Sequence, residues 1–168
     1  MIAEAVTPST TNEAQPAMVL IPITVEVTNS PTDPTFKFYG LGPNRSVFIA
    51  APTAVFVLTL SPVGFDSAVT FAPVTPDTAG PISWFTPGSG VPIRRPDYIS
   101  SPELSQGATV LSFTDTNNAS GQQDLVDFAV TIEVVGINGE LTRHTSHQPY
   151  TSPDPTIINV DPTGPPPV

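Results

Sequence analysis

A chain of 168 residues with 15 acidic and five basic side chains carries a formal charge of −10 and a pI near 4.2. A chain of that sign repels phosphate backbones and anionic headgroups, so nucleic acid and membrane surfaces are excluded as expected partners. With no cysteine, disulfides, thiolate catalysis and thiolate-bound metals are excluded together.

Only 12% of the residues are charged, about half the usual share, while 22 are proline and 11 glycine. Short strands joined by Pro-rich turns produce such a composition, and long helices do not. Residues 1–17 are polar and without periodicity, and read as a disordered N-terminal tail. They lack the basic start and apolar stretch of a signal peptide. The longest apolar stretch, 47–60, is broken by Pro52 and too short to span a bilayer. The expectation is a soluble protein, cytoplasmic by default, with one domain over 18–160 and a Pro-rich C-terminal tail over 161–168.

The first strand is predicted over 19–28, where Ile21, Ile23, Val25 and Val27 alternate with Pro22, Thr24, Glu26 and Thr28. Pro22 cannot donate to a ladder and suggests an edge there. A turn at NSPTDP precedes a short strand over 36–39. Residues 54–60 (AVFVLTL) are nearly all apolar, as in a buried sandwich strand. Shorter strands are expected at 69–73, 82–85 and 109–115, between Pro/Gly-rich turns. Over 127–135, Phe128, Val130, Ile132 and Val134 line one face and Thr131 and Glu133 the other. A last β-prone segment covers 156–160. About seven short strands at this spacing argue for an all-β, antiparallel sandwich of immunoglobulin-like architecture.

Three Asp-Pro dipeptides occur, at 33–34, 154–155 and 161–162. The Asp carboxyl can attack its own carbonyl carbon through a five-membered ring, and the prolyl nitrogen leaves readily once protonated. A fold accelerates this by twisting the peptide, holding the carboxyl at attack geometry and supplying a donor to the oxyanion. Asp-Pro is also an ordinary turn dipeptide.

The stretch Tyr150-Thr151-Ser152-Pro153-Asp154-Pro155-Thr156-Ile157-Ile158-Asn159 resembles the C-terminal signature of the bacterial DP-EP (Asp-Pro endopeptidase) family. Upstream, the apolar strand ending in Leu58–Ser61, the aromatic Ser83-Trp84-Phe85, and Ser112-Phe113-Thr114-Asp115-Thr116-Asn117-Asn118 follow in the same order. The likeness spans roughly 19–162 and is strongest in the last third. It implies a β-sandwich that cuts its own chain between Asp154 and Pro155, by autoproteolysis in cis. The C-terminal piece would stay bound as a strand, its own chain's partner, with strand exchange as a route to self-assembly. Family members tend to carry a lysine, able to capture the new carboxyl as an isopeptide, before the Phe of the penultimate strand. Here that position is Asp127, and the sole lysine, Lys37, lies far upstream.

Asp154 is thus the expected nucleophile or acid and Pro155 the leaving group. Asp127 is expected to position a water, or to raise the Asp154 pKa by like-charge proximity; the plainer reading is a solvated strand-start residue. Asp115, with Asn117 and Asn118, either holds the scissile loop or closes an Asx turn. Ser152 and Thr156 flank the bond and could supply a hydroxyl donor. His144 and His147 stand three apart in a loop-like region with only Glu140 nearby, which does not make a zinc site. No metal and no cofactor is expected. The alternative reading keeps the fold and makes the Asp-Pro bond inert, in a structural or interaction module.

Overall fold

The computed structural model describes residues 17–74, 80–148 and 154–163. In chain order its strands are β1 (Val19–Thr28), β2 (Thr35–Tyr39), β3 (Ser46–Ile49), β4 (Ala54–Val63), β5 (Val69–Phe71), β6 (Ile82–Phe85), β7 (Pro92–Ile93), β8 (Glu103–Leu104), β9 (Val110–Asp115), β10 (Asp124–Val135), β11 (Leu141–Thr145) and β12 (Thr156–Asn159). They form two sheets packed on a common core, an all-β sandwich. One sheet has the order β2-β1-β4-β9-β8; the other runs β3-β12-β10-β6-β7, with β5 and β11 also paired to β10. Among the described residues the only helix is a 3-10 turn at Pro43–Arg45.

The alternation in β1 buries Ile23, Val25 and Val27, with Ile21 partly covered. In the second sheet Val126, Phe128, Val130 and Ile132 do the same. Aromatic rings tie the layers together. Phe56 stacks on Phe113 across the β4–β9 ladder at 4.8 Å, and Trp84 meets Phe113 edge-on at 5.4 Å from the opposite sheet. Full burial of each such side chain contributes about 1.5–3 kcal/mol.

Two features depart from the antiparallel expectation. β1 pairs in parallel with β4, and β12 in parallel with β3, so both sheets are mixed. The chain between β1 and β4 makes β2 and then crosses to the other sheet as β3. On its return, β4 therefore lies beside β1 in the same direction. The immunoglobulin-like part of the expectation is not established by these strand orders. Pro22 sits inside the β1–β4 ladder but beyond the β1–β2 pairing, which starts at Thr24, so its missing N–H faces no partner strand. Gly40 turns the chain out of β2 with φ +96, and a Cβ there would lie 2.4 Å from Pro22 O. Only glycine fits.

β11 and β12 lie along the same edge of β10. Thr145 pairs with Thr131 and Thr156 with Asp127. Thr145 and Thr156 are eleven positions apart in the chain, while their partners Thr131 and Asp127 are four apart on β10. The Asp154–Pro155 bond stands immediately before the β12 ladder.

Candidate functional site

β12 is an interior strand, paired antiparallel to β10 and parallel to β3 over all four residues. Its register places Thr156 between Asp127 and Ser46. Just before it, Pro155 is buried and its carbonyl accepts from Phe128 N at 3.0 Å, so the Asp154–Pro155 bond is held against β10. Asp154 is only 9% exposed. Ser152 lies outside the described residues.

The Asp154 carboxyl is held on one side only. Oδ2 is 2.5 Å from His147 Nδ1, whereas Oδ1 is buried with no hydrogen-bond partner. Burial pushes the Asp154 pKa up, and the like charge of Asp127 adds to the rise. The His147 hydrogen bond and charge, and the charge of Arg45, act in the opposite sense. His147 is itself fixed: its ring stacks on Phe85 at 4.2 Å between centroids, 11° from parallel. Gly90 backs the ring so closely that a Cβ would lie 3.3 Å from His147 Cε1.

Asp127 is buried rather than solvated. Oδ1 accepts from Thr156 Oγ1 at 2.5 Å, and Oδ2 accepts from Gly88 N at 2.9 Å. The β6–β7 hairpin thus supplies a backbone donor to Asp127, a ring face for His147 through Phe85, and the Gly90 backing. Asp127 and Phe85 are cross-strand partners in the β10–β6 ladder, which is why one hairpin reaches both. On the far side Arg45 rides over Phe38, 5.7 Å from the ring centroid. Asn44 and Arg45 both have left-handed backbone, φ 56 and 57, a strained pairing for non-glycine residues. Arg45, Phe36 and Phe38 close a cleft of about 20 Å³ against Asp154 and Pro155, room for one water.

The other two Asp-Pro bonds differ. Asp33 is exposed, 3.8 Å from His144 Nδ1. Asp161 uses both oxygens on backbone and hydroxyl donors, Gly121 N on one and Thr163 on the other. Of the three, only Asp154 is buried with a carboxylate oxygen unengaged.

Asp115 is not at this site, which corrects the expectation that it holds the scissile loop. It sits at the end of β9 and is fully buried, its Oδ2 accepting from Asn159 Nδ2 at 3.0 Å. Asn159 is five residues beyond Asp154, on the order of 15 Å along the strand. Asp115 Oδ1 and Asn159 Oδ1 are both buried without partners. Burial and the like charge of Asp124 raise the Asp115 pKa to about 6 against the Asn159 hydrogen bond. The Tyr98 hydroxyl is raised too, by burial and by a hydrogen bond to Asp124.

Asn117 is likewise remote from the bond. Its Nδ2 donates to Val160 O, Ile49 O and Ala51 O at 2.8–3.2 Å, and its Oδ1 takes Ala119 N in an Asx turn. The upstream motif therefore clamps the far end of the C-terminal strand. Lys37 lies on β2 between the cleft-lining Phe36 and Phe38, exposed on the opposite face of the strand. His144 falls in β11 rather than in a loop. No group of three or more His, Asp or Glu among the described residues could hold a metal.

Of the sequence candidates, Asp154, Pro155, Asp127 and Thr156 come together; Asp115 does not. Sequence reasoning missed His147 as the partner of Asp154, and missed Arg45, Gly88 and Phe85. His147 had been weighed only as half of a metal pair. Two glycines in TPGSG mark a tight turn, but nothing in the sequence aims it at β10. No protein-family model and no curated protein sequence matches the chain.

Proposed function

We propose that the protein cleaves its own Asp154–Pro155 bond, in the manner implied by its resemblance to the DP-EP family, and retains the C-terminal piece as β12. The observation that carries this reading is the Asp154 carboxyl. One oxygen is anchored by His147, and the other is buried, unsolvated and unpaired beside its own peptide bond. An unsolvated carboxylate oxygen is a stronger nucleophile than a hydrated one, and ring closure needs no second molecule.

Oδ1 adds to the Asp154 carbonyl carbon and the C–N bond to Pro155 breaks. The Pro155 nitrogen takes up one proton as it leaves, so a five-membered anhydride and a free prolyl amine result. Water then opens the anhydride to leave Asp154 with two carboxyls, and the cleft beside Arg45 is sized for that water. Asp127 orients Thr156, hence the peptide on the leaving side, and its charge raises the Asp154 pKa. Lysine capture is not part of the reading, since Lys37 is on the wrong face of β2.

Retention follows from ladders on both sides of β12, the buried Ile157, and the Asn117 and Asp115 contacts. Strand exchange between copies would have to open both ladders, so a monomer keeping its own strand is favoured. The test is denaturing intact mass on fresh parental protein and on Asp154→Asn at neutral pH. Fragments 1–154 and 155–168 from the parental chain alone support the reading. An undivided parental chain leaves the structural-module reading.

A further inference from the structure

We infer that His147 is the proton donor of the cleavage, a catalytic role that rests on the self-cleavage reading above. The leaving prolyl nitrogen must acquire a proton, because an amide anion is too basic to depart. Among the described residues an ionisable side chain meets the reacting carboxyl directly: His147, whose Nδ1 lies 2.5 Å from Asp154 Oδ2.

The chemistry of the carboxyl makes this pairing productive. In the proposed pathway the hydrogen bond between Nδ1 and Oδ2 carries one proton before reaction. As Oδ1 bonds to the carbonyl carbon, Oδ2 ceases to be a carboxylate oxygen and becomes the carbonyl oxygen of an anhydride, which has almost no basicity. The proton is left on Nδ1 as the C–N bond weakens, and passes to the Pro155 nitrogen. Neutral imidazole remains and can take a proton from the water that opens the anhydride. That returns His147 to its starting form, and the balance is peptide plus water giving acid plus amine.

The surroundings fit a group that must hold its place while changing charge. Stacking on Phe85 and the backing by Gly90 fix the ring without engaging its nitrogens. The charged and titratable groups packed about the pair are Asp127 from β10, Arg45 from the 3-10 turn, and Asp33, Arg143 and His144 around the neighbouring cleft that His147 also lines. His147 is the one whose ring nitrogen lies at hydrogen-bond distance from Asp154 Oδ2.

The test follows release of 155–168 from full-length chain made by cell-free translation, in pulse–chase between pH 5 and 9. Parental chain is compared with His147→Asn and His147→Ala. Asn sets an amide N–H where Nδ1 stands, so it keeps the hydrogen bond to Oδ2 but has no proton to give. The expected result is cleavage about 100-fold slower at pH 7 in both variants. Their residual rate should rise toward acid, where the carboxyl brings its own proton, and the parental rate should depend less steeply on acid. A His147→Asn chain with the parental rate and pH profile would overturn the inference, leaving His147 a positioning residue. A parental chain intact at every pH overturns the self-cleavage reading and this role with it.

Discussion

Replacing Asp115 with Asn should remove a pH-dependent weakness from the far end of β12. Asp115 is 0% exposed, and Asp124 is the charge that faces it. Its pKa rises from 3.8 to about 6, so the folded state holds this proton more tightly than the unfolded chain does. Between those values the native form binds more protons, and stability therefore falls as pH rises, levelling off above pH 6. The displacement corresponds to about 3 kcal/mol in all. Asn at 115 should abolish the effect, because its amide can give Asn159 Oδ1 the donor it lacks while still accepting from Asn159 Nδ2. Urea unfolding at pH 4, 5, 6 and 7, in an Asp154→Asn background that keeps one chain, is the assay. The variant should match its parent at pH 4 and exceed it at pH 7 by about 3 kcal/mol, or about 1.5 M in midpoint at a typical slope. Stability curves that run parallel across this range would show that Asp115 does not carry the pH dependence.

Ile157→Ala should cost about 2–5 kcal/mol and let the cleaved 155–168 piece separate on native size exclusion, because Ile157 is fully buried in the core. Asn117→Ala removes the donor to three buried carbonyls, including Val160 O, and should cost about 1–3 kcal/mol by thermal melt. Gly90→Ala should slow cleavage on the order of tenfold by shifting His147. Gly107→Ala also strains a positive φ but has open space around its Cβ, and should leave the cleavage rate unchanged.

Strands with one buried face were legible because period-two alternation is written directly in β1 and β10, and β4 shows as an apolar run. β11 (LTRHT) was missed because it is mostly exposed, so no alternation marks it. The parallel pairings were hidden for a different reason. They depend on the chain crossing between sheets at β2–β3, a tertiary choice that local pattern does not encode. At the site, Thr156 and Asp127 were legible from the motif, and the register makes them partners. Asp115 was misplaced because β9 belongs to the other sheet and meets β12 at its far end. His147 was out of reach of spacing arguments: its partner lies seven residues on, and their contact depends on β11 and β12 pairing along the same edge of β10. Arg45 depends on two left-handed residues in succession, which Asn-Arg does not announce.

In the proposed reaction the fold, and not the dipeptide, breaks the Asp154–Pro155 bond. Incubating newly synthesised chain at pH 7 in native buffer and in denaturing urea, and reading fragment masses over time, separates the two. Fragments 1–154 and 155–168 are expected from the folded sample only, with Asp33–Pro34 and Asp161–Pro162 intact in both. Equal cleavage with and without urea, or loss at all three Asp-Pro bonds alike, would contradict the proposed reaction.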